Sequence, residues 1–190
     1  MFVVTGTSGA GKGTLERELL KRMPELELAV SATTREKRPG EENGREYWFV
    51  DDERFERLVQ GEEFVEHIRH SWGPRHGTLW SEIERIQRSG RIPILDLETL
   101  GAVAVKERVP NTVTIFVKAP TFEELERRLR ERATESGGEI EERLAAARKQ
   151  LELENAFDHV IVNADLDRAV DELEAVVRGR LAAAATMSRP

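Results

Sequence analysis

The sequence predicts an α/β fold, a parallel sheet covered by helices on both faces, and three observations lead to it. A glycine-rich segment at residues 6–14 separates a short apolar run from a helical stripe. The second half alternates apolar β-type runs with charged amphipathic ones, the order of strands and helices taking turns. At 190 residues the chain suits one domain, with room for a sizeable core and an insertion.

Taken in order, Phe2, Val3 and Val4 read as a buried strand, and Leu15, Leu19, Leu20 and Met23 fall on one helical face. Between them "GTSGAGKGT" is poor material for a helix or strand interior. Its Gly6, Gly11 and Lys12 fit the frame G-x-x-x-x-G-K-[ST], in which backbone N–H groups curl around phosphate oxygens and a helix N-terminus adds partial positive charge. Gly13 stands where Ser or Thr is expected, and Thr14 supplies a hydroxyl one residue later. Gly6, Thr7, Ser8, Gly9, Ala10, Gly11, Lys12, Gly13 and Thr14 are therefore expected to cradle phosphates.

Short β-type pieces around residues 29–34 and 47–50 flank a charged loop with Gly and Pro, a small mixed insertion in place of a crossover helix. A short helix capped by Asp51 or Asp52 and a strand over 64–68 follow. The chain then predicts a helix over 78–88, strands over 92–97 and 113–119, helices over 122–131 and 140–156, a strand over 160–162 and a helix over 166–181. No periodicity assigns residues 98–112, and the tail at 186–190 is expected to fray. Within the insertion Arg35, Lys37 and Arg38 stand beside Ser31, Thr33 and Thr34. Guanidinium forks and hydroxyls suit a phosphate monoester, the second cradle a phosphoryl-transfer enzyme needs for its acceptor.

A formal net charge of −7 argues against a general binder of nucleic acid or anionic membrane, so the expected anions are small. Without cysteine there is no disulfide framework and no thiolate metal site. No apolar run reaches membrane-spanning length, and a strand beginning at residue 2 leaves no room for a signal peptide, so a cytoplasmic protein is expected. His67, His70 and His159 show no metal-ligand spacing and read as structural.

The stretches "SATTREKRPGEENGREYWFV", "EFVEH", "HGT", "ILDLETLGA" and "LERRLRERATES" together resemble guanylate kinase, the family that phosphorylates GMP with ATP, over nearly the whole chain. The G-K-G-T loop is similar to that of nucleoside monophosphate kinases. The resemblance implies a P-loop kinase core (residues 1–30, 78–124 and 146–185), an NMP-binding insertion at about 31–75 and a helical lid at about 125–145. It implies ATP as donor held by residues 6–14, Mg²⁺ as cofactor, and GMP, with dGMP beside it, as acceptor. No nucleic acid, membrane or obligate protein partner is implied.

Carried over by position, Ser31, Arg35, Arg38 and Tyr47 hold the GMP phosphate, and Glu66 with Thr78 recognises guanine. Lys12 serves the β- and γ-phosphates, Asp96 and Thr14 serve Mg²⁺ through water, and Arg128, Arg132 and Arg143 are lid arginines that close over the phosphates. Arg127, Arg130, Glu62 and Glu63 read as surface. Guanine presents N1–H and its 2-amino group as adjacent donors that one carboxylate accepts together, whereas adenine reverses the pattern at that edge, so Glu66 is expected to reject AMP.

Three positions depart from the family. His76 replaces a tyrosine within "SWGPRHGT", a stretch one residue longer than usual; Glu98 replaces an aspartate near guanine; Ala133 replaces a lid glycine. Imidazole titrates near neutrality, so a His76 ring facing the acceptor phosphate would weaken GMP affinity as pH rises from about 6 to 8. Two other readings stay open: a P-loop kinase for another small phosphate, and a non-catalytic module of the same fold. The intact loop speaks against the module, and Glu66 with Thr78 against the other substrate.

Overall fold

The computed structural model describes residues 1–69, 73–131 and 137–187. Its strands are β1 (Phe2–Gly6), β2 (Leu26–Leu28), β3 (Ala32–Thr33), β4 (Trp48–Phe49), β5 (Phe64–Arg69), β6 (Arg75–Leu79), β7 (Ile92–Asp96), β8 (Val113–Lys118) and β9 (His159–Val162). Its helices are α1 (Lys12–Arg22), α2 (Asp52–Gln60), α3 (Trp80–Arg88), α4 (Thr99–Arg108), α5 (Phe122–Glu131), α6 (Gly137–Leu151) and α7 (Leu166–Met187).

A five-stranded sheet runs β2-β7-β1-β8-β9, parallel at every pairing. Alternate residues of β1 explain why its sequence is apolar throughout: Phe2 and Val4 pack with Leu15 and Leu19 of α1 and Val170 and Leu173 of α7. Val3 packs on the opposite face with Ile83 and Ile86 of α3 and Ala102 and Val105 of α4. A sheet buried on both faces requires such strands. Leu125 and Leu129 of α5 join Ile140 and Leu144 of α6 in a separate cluster.

A second sheet, β4-β3-β6-β5, comes from residues 32–79, with β3 parallel to β4 and antiparallel to β6. Phe55 and Phe64 stack at 4.6 Å beneath it. The Asp51 carboxylate caps α2, accepting the Arg54 N–H at 2.7 Å.

Several elements differ from the sequence expectation. The helix expected over 78–88 starts at Trp80, because Thr78 and Leu79 extend β6 against β5. Helix α4 occupies part of the unassigned stretch. Leu100, Ala102, Val103, Ala104 and Val105 make it apolar almost all round, so it carries no helical stripe for periodicity to find. The expected 140–156 helix starts at Gly137 and stops at Leu151, a 3-10 turn at Glu154–Ala156 taking its last residues. Helix α7 continues to Met187, so the start of the expected frayed tail is helical.

Candidate active site

Strand β1 ends at Gly6, where any side chain would drive into the Val117 carbonyl of the adjacent β8. The loop then turns through the Ala10 N–H, which donates to the Thr7 carbonyl at 3.1 Å. Gly11 takes φ 87°, ψ 16°, a left-handed conformation that glycine adopts without a Cβ clash. From there its carbonyl accepts the N–H groups of Thr14 at 3.0 Å and Leu15 at 3.2 Å, which starts α1. The first-turn N–H groups of Lys12 and Gly13 have no intrahelical acceptor and suit an anion.

Helix α6 lies across this loop. Arg143 donates to the Ser8 hydroxyl from Nε at 3.1 Å and Nη2 at 2.9 Å, and the Ser8 N–H donates to Gln150 Oε1 at 3.4 Å. From α5, Arg128 donates to the Asn163 carbonyl at 3.0 Å and to Glu124 at 2.7 Å. Arg127 and Arg130 pair with glutamates on the exposed helix face, as expected. Arg132, Ala133 and His70 lie outside the described residues.

Asn163, just beyond β9, ties the loop from behind. Its amide Nδ2 donates to the Ala10 carbonyl at 2.7 Å, a buried bond, and it abuts the space a Gly11 side chain would need. Asn163→Ala is expected to destabilise the protein by about 1–3 kcal/mol, since it strands a buried carbonyl. The urea midpoint measures this, and an unchanged midpoint would mean that water replaces the amide.

Asp96, the last residue of β7, sits beside β1 at the sheet's carboxyl edge and forms an ion pair with Lys12. The Thr14 hydroxyl accepts from Arg17 Nη2 at 3.1 Å. Among the described residues no group of three or more His, Cys, Asp or Glu is placed to hold a metal. The hard oxygen donors present, Asp96 and the Thr14 hydroxyl, fit a Mg²⁺ ion, which keeps several waters and takes one or two carboxylates plus substrate phosphates.

The other end is built by the small sheet. Tyr47 and His76 bring their rings to 5.7 Å, and the Arg35 guanidinium lies 5.4 Å from the Tyr47 centroid. Arg35 Nη2 pairs with Glu41 Oε1 at 2.7 Å, and the Arg38 N–H donates to Glu41 Oε2 at 2.8 Å. These bonds, Arg35's first, hold the Glu41 carboxyl below its ordinary range. The β5–β6 register shifts between Phe64 and Glu66, and there Glu66 Oε1 accepts the Thr78 N–H at 3.0 Å. Thr78 is buried, its hydroxyl 3.3 Å from Ser31 Oγ. Glu66 is 7 % exposed. Burial pushes its carboxyl up to about 7, Glu98 adding to the rise and the Thr78 bonds opposing it.

One cleft of ≈ 890 Å³ joins the two ends. Gly6, Thr7, Ser8, Gly9, Gly11, Lys12, Gly13 and Thr14 line one end, and Ser31, Tyr47, Glu66, His76, Asp96 and Glu98 line the rest. Ala10, Arg35, Arg38, Thr78, Arg128 and Arg143 stand behind this lining or outside it. Sequence reasoning passed over Arg17, Gln150 and Asn163. Asn163 carried a signal: like Asp96 it stands at the carboxyl end of a parallel strand, where ligands of such sheets gather. Gln150 carried none, because only the tertiary fold brings α6 to the loop.

A sequence model of the guanylate kinase family matches residues 1–180. A guanylate kinase of Rubrobacter xylanophilus is 44% identical over 178 residues, covering 94% of this chain and 93% of that one. A guanylate kinase of Synechococcus sp. is 42% identical over 177 residues, covering 93% and 81%. A crystal structure of guanylate kinase from Anaplasma phagocytophilum superposes with a TM-score of 0.74 at 29% identity, covering 94% of this chain and 84% of that one. With the phosphate loop, the strand-end aspartate and the small sheet carrying Glu66 all set around one cleft, the chain belongs to the guanylate kinase family.

Proposed function

We infer that the protein transfers the γ-phosphoryl group of ATP to GMP, and to dGMP, by direct in-line displacement. The observation that carries this reading is the continuous cleft, with a phosphate loop at one end and a buried carboxylate at the other. An acceptor whose base meets Glu66 places its phosphate among Ser31, Arg35, Arg38, Tyr47 and His76, facing a donor on residues 6–14. No covalent enzyme intermediate is needed, so catalysis is alignment and charge neutralisation. Lys12 follows the transferring group, while Arg128, Arg132 and Arg143 complete the phosphate clamp as residues 125–145 close over it. Asp96 and Thr14 would hold a Mg²⁺ ion, which would supply charge neutralisation at the phosphate oxygens. Among the described residues no helix is long and apolar enough to cross a membrane.

The test is ADP release with Mg·ATP against GMP, dGMP, AMP, CMP, UMP and ribose phosphates. GMP is expected to lead. A ribose phosphate turned over as well as GMP would make this a kinase for another small phosphate, and no turnover with any acceptor would leave a binding module.

The same assay carries a pH prediction. Glu66 must be ionised to accept two guanine donors, and its carboxyl is pushed up to about 7, so kcat/KM for GMP is expected to climb from pH 6 to 8. This opposes the fall expected from His76, and a falling profile would put His76 in control of affinity. The stability sign is opposite to the activity sign. A carboxyl whose folded pKa is raised contributes stability that is full below its ordinary value and lost as pH rises through about 7.

A further inference from the structure

Behind Glu66 stands a glycine that no turn requires. Gly101 is buried in the first turn of α4, and it is absent from the glycines with positive φ, so its backbone would accept any L residue. Helices disfavour glycine relative to every residue except proline. What it supplies is space: a Cβ at this position would lie 2.9 Å from Glu66 Oε2, 3.5 Å from Glu66 Cδ and 3.4 Å from Ile68 Cδ1. The first of these is closer than a Cβ comes to any neighbouring heavy atom, so something must shift.

The other carboxylate oxygen is already committed, Oε1 being held by the Thr78 N–H at 3.0 Å. A carboxylate that keeps this bond yields to a new side chain by swinging about Oε1, and the displaced atom is Oε2. We propose that Gly101 is a positioning residue for base selection: its missing side chain lets α4 begin against Glu66 and fixes Oε2 where it accepts the guanine 2-amino group. This rests on the reading of Glu66 as the guanine acceptor. Inosine monophosphate keeps the N1–H donor and lacks the 2-amino group, so it reports on the N1–H contact alone.

The experiment measures Kd for GMP and for inosine monophosphate by calorimetry, together with kcat for GMP, in wild type, Gly101→Ala, Glu66→Asp and the double variant. Gly101→Ala is expected to weaken GMP by about tenfold and to shrink the GMP-over-inosine-monophosphate preference by most of that factor. Most of the loss falls on Kd rather than kcat. The melting temperature holds or rises, since alanine is the better helix residue and the only atoms in the way at close range are the far end of a side chain. Glu66→Asp withdraws the carboxylate by one methylene, so adding Gly101→Ala in that background is expected to change GMP affinity by less than about twofold. This comparison remains available if Gly101→Ala alone folds poorly. An unchanged preference in Gly101→Ala overturns the proposal, as does an equal loss for both nucleotides with a lower melting temperature. If Glu66→Asp itself binds both nucleotides as wild type does, the guanine reading of Glu66 falls; if Glu66→Asp weakens GMP and Gly101→Ala does not, only the role of Gly101 falls.

Discussion

Lys12→Met is expected to lower GMP turnover by about 10²–10³-fold or more, because it removes the one cation carried by the phosphate loop itself, where charge moves during transfer. Methionine keeps the length of the side chain, so the loop retains its packing against α6 and Asn163. Asp96, left without its partner, is 40% exposed and rehydrates. Glu16, buried one turn along α1, already has its carboxyl pushed up by burial, and loss of the Lys12 charge that holds it down pushes it further toward the neutral form. The fold should therefore survive, and circular dichroism with a melting curve checks that it does. Near-normal turnover in a folded Lys12→Met protein would remove the phosphate loop from the chemistry.

Glu66→Gln should cut GMP efficiency about ten- to a hundred-fold, the consequence of roughly 1–3 kcal/mol of mismatched hydrogen bonding. The direction follows from the Thr78 N–H, which needs an acceptor at the position of Oε1. The amide oxygen takes that place, and the amide nitrogen must turn toward the cleft, donor against donor with guanine. The amide nitrogen stands at the place of Oε2 and opposes the 2-amino group, which adenine lacks, so the GMP-over-AMP preference narrows through the loss on the GMP side. The activity rise through about pH 7 is lost with the titrating group. A variant that keeps the wild-type preference would move guanine recognition away from this strand.

The strand, glycine loop and first helix were legible because the pattern is local: Gly6, Gly11 and Lys12 stand at fixed spacing between a strand and the helix they start. The apolar strands β1, β7 and β8 were legible for the same reason, being buried on both faces. Helix α4 was not, since a segment apolar all round has no period to read. Nor was the strand at Thr78, where "RHGT" holds one small and two charged or titratable side chains and is strand only because β5 and β3 flank it. Within the site, residue types were readable and partners were not. Arg35 reads as a phosphate ligand in sequence, yet here its guanidinium is taken by Glu41, six positions on. Asn163 and Gln150 reach the loop across more than 140 positions, a closeness that only the completed sheet creates.

Those pairings have a consequence for how the protein handles salt. Lys12 rests on Asp96, Arg35 on Glu41 and Arg128 on Glu124, so these cations of the proposed site already carry an internal anion. On the proposed reading phosphate would not enter a vacant positive field; it would displace a carboxylate, and the site would work as an ion exchanger. Such exchange draws few counterions from solution, which makes binding less sensitive to ionic strength than the number of arginines suggests. It also sets a threshold. On the same reading a chloride or a lone carboxylate would gain less from evicting an aspartate or glutamate than a phosphate dianion that meets hydroxyls and N–H groups on several sides. Asp96, Glu41 and Glu124 would thus act as a filter on the anions the site admits.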